Sequence, residues 1–288
     1  QTSFKEVLSH SAGWLPYIAH QNFVRKKNGG FKKRTLQSQK SKRFPTQISD
    51  SLFLFGKYQK KIMRRIRKTK MSTLGTYKYS GLWFFLIPEL TERLSGISFE
   101  SFLKKHFYDP LKLEQLTFLP SKRFPKQQIV PTEYDGDFRK QLVQGWVHDE
   151  AAALMGGISG NAGLFSNAAS IAPILEMLLN NGNYRGKVYL RKETVTLFTQ
   201  RAYPNGANRR GLGFDKPSVT ENDVRYPSFL VSPSSYGHTG FTGTLIWIDP
   251  EKKGFLIFLS NRVYPSRNQR GLYDLNIRAQ LLDHAFEN

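Results

Sequence analysis

The chain has 288 residues, of which 39% are hydrophobic and 14% aromatic. That is enough for one large domain or two small ones with a sizeable core, and it excludes global disorder. It has no cysteine, which rules out disulfides, thiolate zinc sites and a cysteine nucleophile. The formal net charge is +21, and residues 22–70 alone hold seventeen Lys and Arg against one acid, Asp50, for +16 of it.

Read in chain order, residues 1–20 predict a short helix at Phe4–Ser9 and a Gly-Trp-Leu-Pro turn. A first residue of Gln rather than Met reads as a processed or trimmed chain. Residues 22–48 are basic and poorly periodic, which predicts a loop or mobile insertion. Leu52–Arg67 reads as a basic amphipathic helix, with Leu52, Phe55, Gln59, Ile62 and Ile66 on one face. Ser80–Leu94 predicts an apolar helix ended by Ser95-Gly96, and Ser98–Phe107 another with Ser98 as N-cap. The longest apolar run, Leu82–Leu90, is far too short to span a membrane. Residues 117–163 form a long irregular region, of the kind that often carries function. Helices follow at Ala168–Leu179 and Lys192–Gln200. Strands are predicted at Gly211–Phe214, Thr244–Asp249 and Gly254–Asn261, and a closing helix at Gly271–Phe286. Helices and loops first, antiparallel strands after, is the order of an α+β fold.

The most informative stretch is Tyr236-Gly-His-Thr-Gly-Phe-Thr-Gly-Thr244. Small residues around a His at a strand start let a ligand lie against the backbone. It stands together with Tyr77-Lys-Tyr79-Ser80-Gly81, Leu8-Ser-His-Ser-Ala-Gly13, Gly145-Trp-Val-His-Asp-Glu150 and Gly156-Gly-Ile-Ser-Gly-Asn-Ala-Gly-Leu-Phe-Ser166. As an ordered set these segments resemble the serine β-lactamase and penicillin-binding-protein superfamily. The class C-like branch, and within it the penicillin-binding protein 4B type, is the nearest. The resemblance runs from about Leu8 to the C-terminus and is weakest over 22–70.

The resemblance implies one domain over 1–288. A helical and loop part would cover about 1–190, with the basic insertion at 22–70. A sheet part would cover about 191–288. It implies acyl transfer, in which a serine hydroxyl needs a nearby base and the oxyanion needs two backbone N–H donors. Tyr79 matches the family's proton-shuttling Tyr, and His238, Thr239 and Gly240 match the Lys/His-Thr-Gly strand. The Phe241 N–H falls at the strand-borne oxyanion donor. Ser80 and Gly81 complete the Tyr triplet, with Gly81 standing where the family has Asn or Asp. His148 or Asp149 is expected to hold the Gly156–Gly163 loop by hydrogen bonds, and Asn161 to border the cleft. His10 and His20 read as structural. His148-Asp149-Glu150 cannot all face one ion from a regular element, so neither metal nor cofactor is expected.

The family's Ser-x-x-Lys is missing from its place upstream of Leu8. The only literal match, Ser101-Phe-Leu-Lys104, sits where the family has an ordinary surface helix, and Ser and Lys three apart are common on a solvated face. The expectation is therefore a family fold without its N-terminal helix, first strands and nucleophile helix, completed by further chain or by a second polypeptide. The implied activity is hydrolysis of a D-Ala-D-Ala-like peptide, a β-lactam or a small ester in the bacterial cell envelope. The alternative is an inactive module that binds wall peptides or anionic polymers. For the basic stretch, a solvated insertion ranks first, an anionic polymer or membrane surface second, and nucleic acid last.

Overall fold

The computed structural model describes residues 2–218 and 226–287. The chain opens on helix α1 (Phe4–Leu8), whose N-terminus carries a capping box between Ser3 and Glu6. Three short strands follow, β1 (Leu36–Gln37), β2 (Thr46–Ser49) and β3 (Leu52–Leu54), forming an antiparallel sheet in the order β1-β3-β2. Helix α2 (Tyr58–Arg67) buries Tyr58, Ile62, Met63 and Ile66 along one stripe.

These elements overturn two expectations. The basic stretch is not a loose insertion: Leu36, Ile48, Leu52 and Leu54 are core residues, packed with Ile62 and Ile66 of α2. Only Leu52 and Leu54 alternate at strand spacing, yet with Leu36 and Ile48 they suffice to bury a face. The helix expected from Leu52 also starts later. Leu52–Leu54 alternates buried and half-buried as a strand, and Gly56 then packs against Pro45 at the turn into α2.

The helical part continues with α3 (Ile87–Ser95), which has a Pro in its first turn and stops at Gly96 with φ 73. Next is α4 (Phe99–Leu103), capped by Ser98 as expected. The region predicted as irregular carries β4 (Thr117–Phe118), the hairpin of β5 (Glu133–Asp135) and β6 (Gln141–Val143), and helix α5 (Glu150–Leu154). Strand β7 (Leu164–Phe165) pairs with β4, and α6 (Ala168–Leu179) begins at its N-cap Asn167. A small hairpin, β8 (Asn183–Tyr184) with β9 (Lys187–Val188), precedes α7 (Lys192–Thr199).

The last third builds the sheet that carries the conspicuous motif. Strands β10 (Tyr236–Thr239), β11 (Leu245–Asp249) and β12 (Gly254–Phe258) run antiparallel in that order, with His238 opposite Ile246. Both faces of β11 are covered. Leu245 and Trp247 pack on Leu282 and Phe286, while Ile248 joins Tyr236 and Leu175 of α6. The closing helix is two pieces, α8 (Gly271–Asp274) and α9 (Ile277–Phe286), parted by Asn276 in the left-handed region. The strand expected at Gly211–Phe214 is absent. Gly213 turns there at φ 83, leaving a single bridge between Asp215 and Gly237. Strand β12 pairs with β11 alone among the described residues. Among those residues no helix is long and apolar enough to cross a membrane.

Candidate active site

Tyr79 is held in place by the turn on which it sits. The Ser80 hydroxyl donates to Leu15 O at 2.7 Å and accepts from Leu82 N at 3.3 Å. The Ser80 N–H donates to His10 Nδ1 at 3.2 Å. Ser80 is thereby buried and spent on the backbone, and it fixes the Tyr on its N-terminal side. His10, in the left-handed region at φ 58, lies with its ring 4.4 Å from the Tyr79 ring. The Tyr79 ring is in turn 6.2 Å from that of His238. Desolvation pushes the Tyr79 phenol above its ordinary value, with the Arg210 charge pulling the other way. At neutral pH Tyr79 is a proton donor. Gly81 is followed by open space: a Cβ there would touch nothing within 4 Å.

His238 sits on β10 between two partners that define its protonation. Its Nδ1 faces Thr239 O at 2.8 Å, an atom that only accepts. Its Nε2 faces Arg210 Nη2 at 3.4 Å, an atom that only donates. These partners assign a neutral ring with the proton on Nδ1. Burial first, and the Arg210 charge second, hold the His238 pKa below its ordinary value. Arg210 is itself buried at 2% exposure and lies 5.2 Å over the Tyr79 ring. Its counter-ion is Asp215, at 3.3 Å, which Arg209 also binds at 2.9 Å. Burial works against the Asp215 carboxylate, but the two guanidinium groups outweigh it and keep its pKa low. The loop carrying Arg210 is tied to the His10 turn, as Asn208 Nδ2 donates to Ser9 O and Gly213 N to Leu8 O, each at 2.9 Å.

Beyond His238 the strand ends in a tight turn. Gly240 N donates to Thr244 O at 2.8 Å, and Arg278 donates to the carbonyls of Gly240 and Thr244. Gly240 has no room for a side chain, since a Cβ would lie 2.2 Å from Thr244 Oγ1. The Phe241 N–H has no hydrogen-bond partner among the described residues, and its ring is 58% exposed. That ring stacks on His148 at 5.7 Å, with Arg262 4.6 Å over it. His148 Nε2 meets Glu133 at 2.6 Å, and Arg267 forks onto the same carboxylate at 2.7 Å while also reaching Glu150. Burial opposes the Glu133 charge, yet the Arg267 and His148 hydrogen bonds outweigh it and hold its pKa to about 2. Asp149 caps α5 through Ala152 N, and Asn161 accepts from Ser159 within its own loop.

The site is a wall with a phenol donor, a neutral imidazole backed by a buried guanidinium, and a free backbone N–H. The family profile described as Beta-lactamase matches residues 1–280. The chain belongs to the β-lactamase family. It is 36% identical over 198 residues to a protein of Escherichia coli (strain K12) named "Putative D-alanyl-D-alanine carboxypeptidase", covering 64% of this chain and 44% of that one. A protein of the same name from Salmonella heidelberg (strain SL476) is 34% identical over 225 residues, covering 73% and 51%. The chain therefore spans about half the length of these relatives. Among solved structures, the octameric penicillin-binding protein homologue from Pyrococcus abyssi aligns with a TM-score of 0.56 at 20% identity, over 95% of this chain and 55% of that one. A penicillin-binding protein homologue from Caulobacter crescentus gives 0.55 at 16%, over 90% and 65%. The α+β β-lactamase-type fold read from the sequence is the fold of these neighbours.

As a β-lactamase-family chain it brings Tyr79, His238 and Phe241 to one wall, with Thr239 and Gly240 shaping the turn between them. Ser101 stands apart. It is exposed on α4, its N–H donates to Ser98, and no contact ties it to Tyr79 or His238. No cluster of three metal-ligating side chains occurs among the described residues. Sequence reasoning missed Arg210 and Asp215, and read His10 as structural only. The available signal was Asn208-Arg-Arg-Gly-Leu-Gly-Phe-Asp215, two adjacent arginines ahead of a Gly-rich turn and an acid. Nothing local in it says that one guanidinium is buried.

Proposed function

We propose that this chain forms the proton-transfer and oxyanion wall of a serine acyl-transfer site acting on a D-Ala-D-Ala-like peptide, a β-lactam or a small ester. The observation that carries the reading is the Tyr79–His238–Phe241 arrangement, with Arg210 behind it. A protonated Tyr79 can pass a proton to a leaving amine or alcohol. The Phe241 N–H is free to meet a developing oxyanion, where each such donor contributes about 3–4 kcal/mol of transition-state stabilisation. His238, neutral and doubly bonded, positions rather than titrates. Arg210, buried and paired with Asp215, does not meet the substrate; with Arg209 it leaves a net positive charge behind the imidazole that would favour a substrate carboxylate from a distance. This supports a carboxypeptidase reading, since the cation does not depend on His238 protonation, and the names of the relatives point the same way.

The nucleophile is proposed to come from outside residues 1–288, in further chain of the natural protein or a second polypeptide, which also covers the open edge of β12. The bacterial cell envelope is the proposed location, since the wall peptides lie there. The test is covalent labelling of the natively expressed protein with a fluorescent penicillin, followed by intact mass and peptide mapping. Label on a serine of a Ser-x-x-Lys outside 1–288, weakened tenfold or more by Tyr79→Phe, supports the reading. A native mass of 33.1 kDa with no labelling would favour the second reading, an inactive module that binds wall peptides.

A further inference from the structure

A groove of about 1150 Å³ lies between α2, α3, α4 and the start of the Gly156 loop, and contains none of Tyr79, His238 or Phe241. It exceeds the size of an ordinary small-ligand pocket. Its floor is apolar, with Met63, Phe85 and Leu119 buried beneath it. One wall is a row of cations. Lys60, Arg64 and Lys68 are spaced i, i+4, i+8 along α2 and its C-cap, a row about 12 Å long at 1.5 Å per residue. All three are exposed, and none has a salt bridge among the described residues. Lys40 and Lys122 also line the groove.

The groove's acids do not neutralise this row. Glu89 is bound by Arg67 and Arg93, and Glu92 accepts the Phe99 N–H. Only Glu100 remains, and the cation whose charge acts on it is Lys122, not a member of the row. Like charges at i, i+4 repel along a helix, and α2 has no acid in its first turn to relieve them. A helix that keeps such a row unpaired on a concave wall is arranged for an anion. The concave setting matters too, because a planar membrane surface does not follow a groove between helices while a polymer chain can. Alternating Lys and Arg suits phosphate oxygens, Arg as a fork and Lys as a point charge.

We infer that this groove binds a linear, base-free, phosphate-bearing polyanion along the Lys60–Arg64–Lys68 row. This does not rest on the acyl-transfer reading, and its test needs no catalytic activity. Binding of fluorescently labelled inorganic polyphosphate to the natively expressed protein is measured by anisotropy at several salt concentrations. The triple variant Lys60→Gln/Arg64→Gln/Lys68→Gln leaves the buried face of α2 untouched, so its fold is retained, as circular dichroism will confirm. It should bind at least tenfold more weakly, with the slope of log K against log salt reduced by about 2–3. The control Lys26→Gln/Lys27→Gln/Lys33→Gln removes the same charge from exposed positions of the basic stretch outside the groove, and should lose less than threefold. Equal loss in both variants would mean diffuse electrostatics and overturn the site, as would absence of polyphosphate binding. Poly-glutamate of equal charge binding as tightly would overturn the phosphate assignment. Single-stranded DNA binding tenfold more tightly per phosphate would replace it with nucleic acid.

Discussion

Arg210 Nη2 approaches His238 Nε2 at 3.4 Å while Asp215 holds the same guanidinium at 3.3 Å. The imidazole therefore reports the state of a buried ion pair that substrate never needs to touch. Arg210→Gln removes the second of the two causes that lower the His238 pKa, so the His238 titration followed by NMR should move up, while burial still holds it below the ordinary value. In the labelled, nucleophile-containing protein, kcat/KM for a carboxylate-bearing substrate should fall ten- to a hundredfold, and for a neutral ester less than threefold. Equal loss on both substrates would show that Arg210 only maintains structure. The double variant Arg210→Gln/Asp215→Asn keeps this readable, because the single change leaves Asp215 buried beside Arg209 alone.

Two histidines set an acid limit on stability. Burial lowers the pKa of His10 to about 3 and of His20 to about 4. Both are neutral in the fold, yet each takes up a proton near pH 6.5 once unfolded. The unfolded state binds more protons in that window, so stability is complete above about pH 6.5 and declines as pH falls toward the folded values. The slope is about 1.4 kcal/mol per pH unit for each histidine. Urea denaturation at pH 7.5 and pH 5 should differ by about 2–4 kcal/mol from these two rings, with His238 adding to it in the same direction, and His20→Gln should remove up to about 2 kcal/mol of the difference. A flat profile between those pH values would contradict the burial assigned to both rings.

Two glycines at the site should respond in opposite ways. Gly81 has open space where a Cβ would stand, and its φ lies outside the left-handed region. Gly81→Asn should fold, with thermal stability unchanged or raised by up to ~1 kcal/mol through a stiffer unfolded chain. If the acyl-transfer reading holds, the added amide should also lower KM for peptide substrates. Gly160 has no room for a side chain, its Cβ position lying 2.3 Å from Phe84 O and 2.9 Å from Ile87 Cβ. Gly160→Ala should cost about 1–3 kcal/mol and loosen the Asn161 loop. Thermal melts of the two variants, side by side, check both.

The nearness of Tyr79 to His238 was legible because both are carried by short motifs in a fixed order. Helices with a cap and a stop were legible for the same reason, as at Asn167 before α6 and Gly96 after α3. The fold of residues 22–57 was not, because Lys and Arg outnumber the few core residues, and strands of two to four residues show too little alternation to read. Arg210 was hidden by a different cause. Its burial comes with contacts to His238 and Tyr79 made across the fold, and its neighbours along the chain, Asp215 among them, do not mark which of the two adjacent arginines is buried.

Glu133 is the acid on which three segments converge, and Arg267 is what makes its burial tolerable. The Glu133 side chain is 4% exposed, and Arg267 supplies both its side-chain fork and its backbone N–H. Arg267→Ala would strand Glu133 with His148 as its only remaining side-chain partner, and Glu150 without its cation. Removing one member of such a cluster typically costs about 3–5 kcal/mol at neutral pH. The pH dependence then separates this from simple loss of packing. In the native protein the Glu133 contribution is present above the unfolded value of about 4.5 and is lost only as pH falls through about 2. In the variant the desolvated carboxylate has its pKa raised, so it protonates on mild acidification and the deficit shrinks. Denaturation of native and variant protein should converge between pH 7.5 and pH 5, after allowance for the histidine slope common to both. A deficit that stays constant across that range would show that Arg267 acts through packing and not through the buried carboxylate.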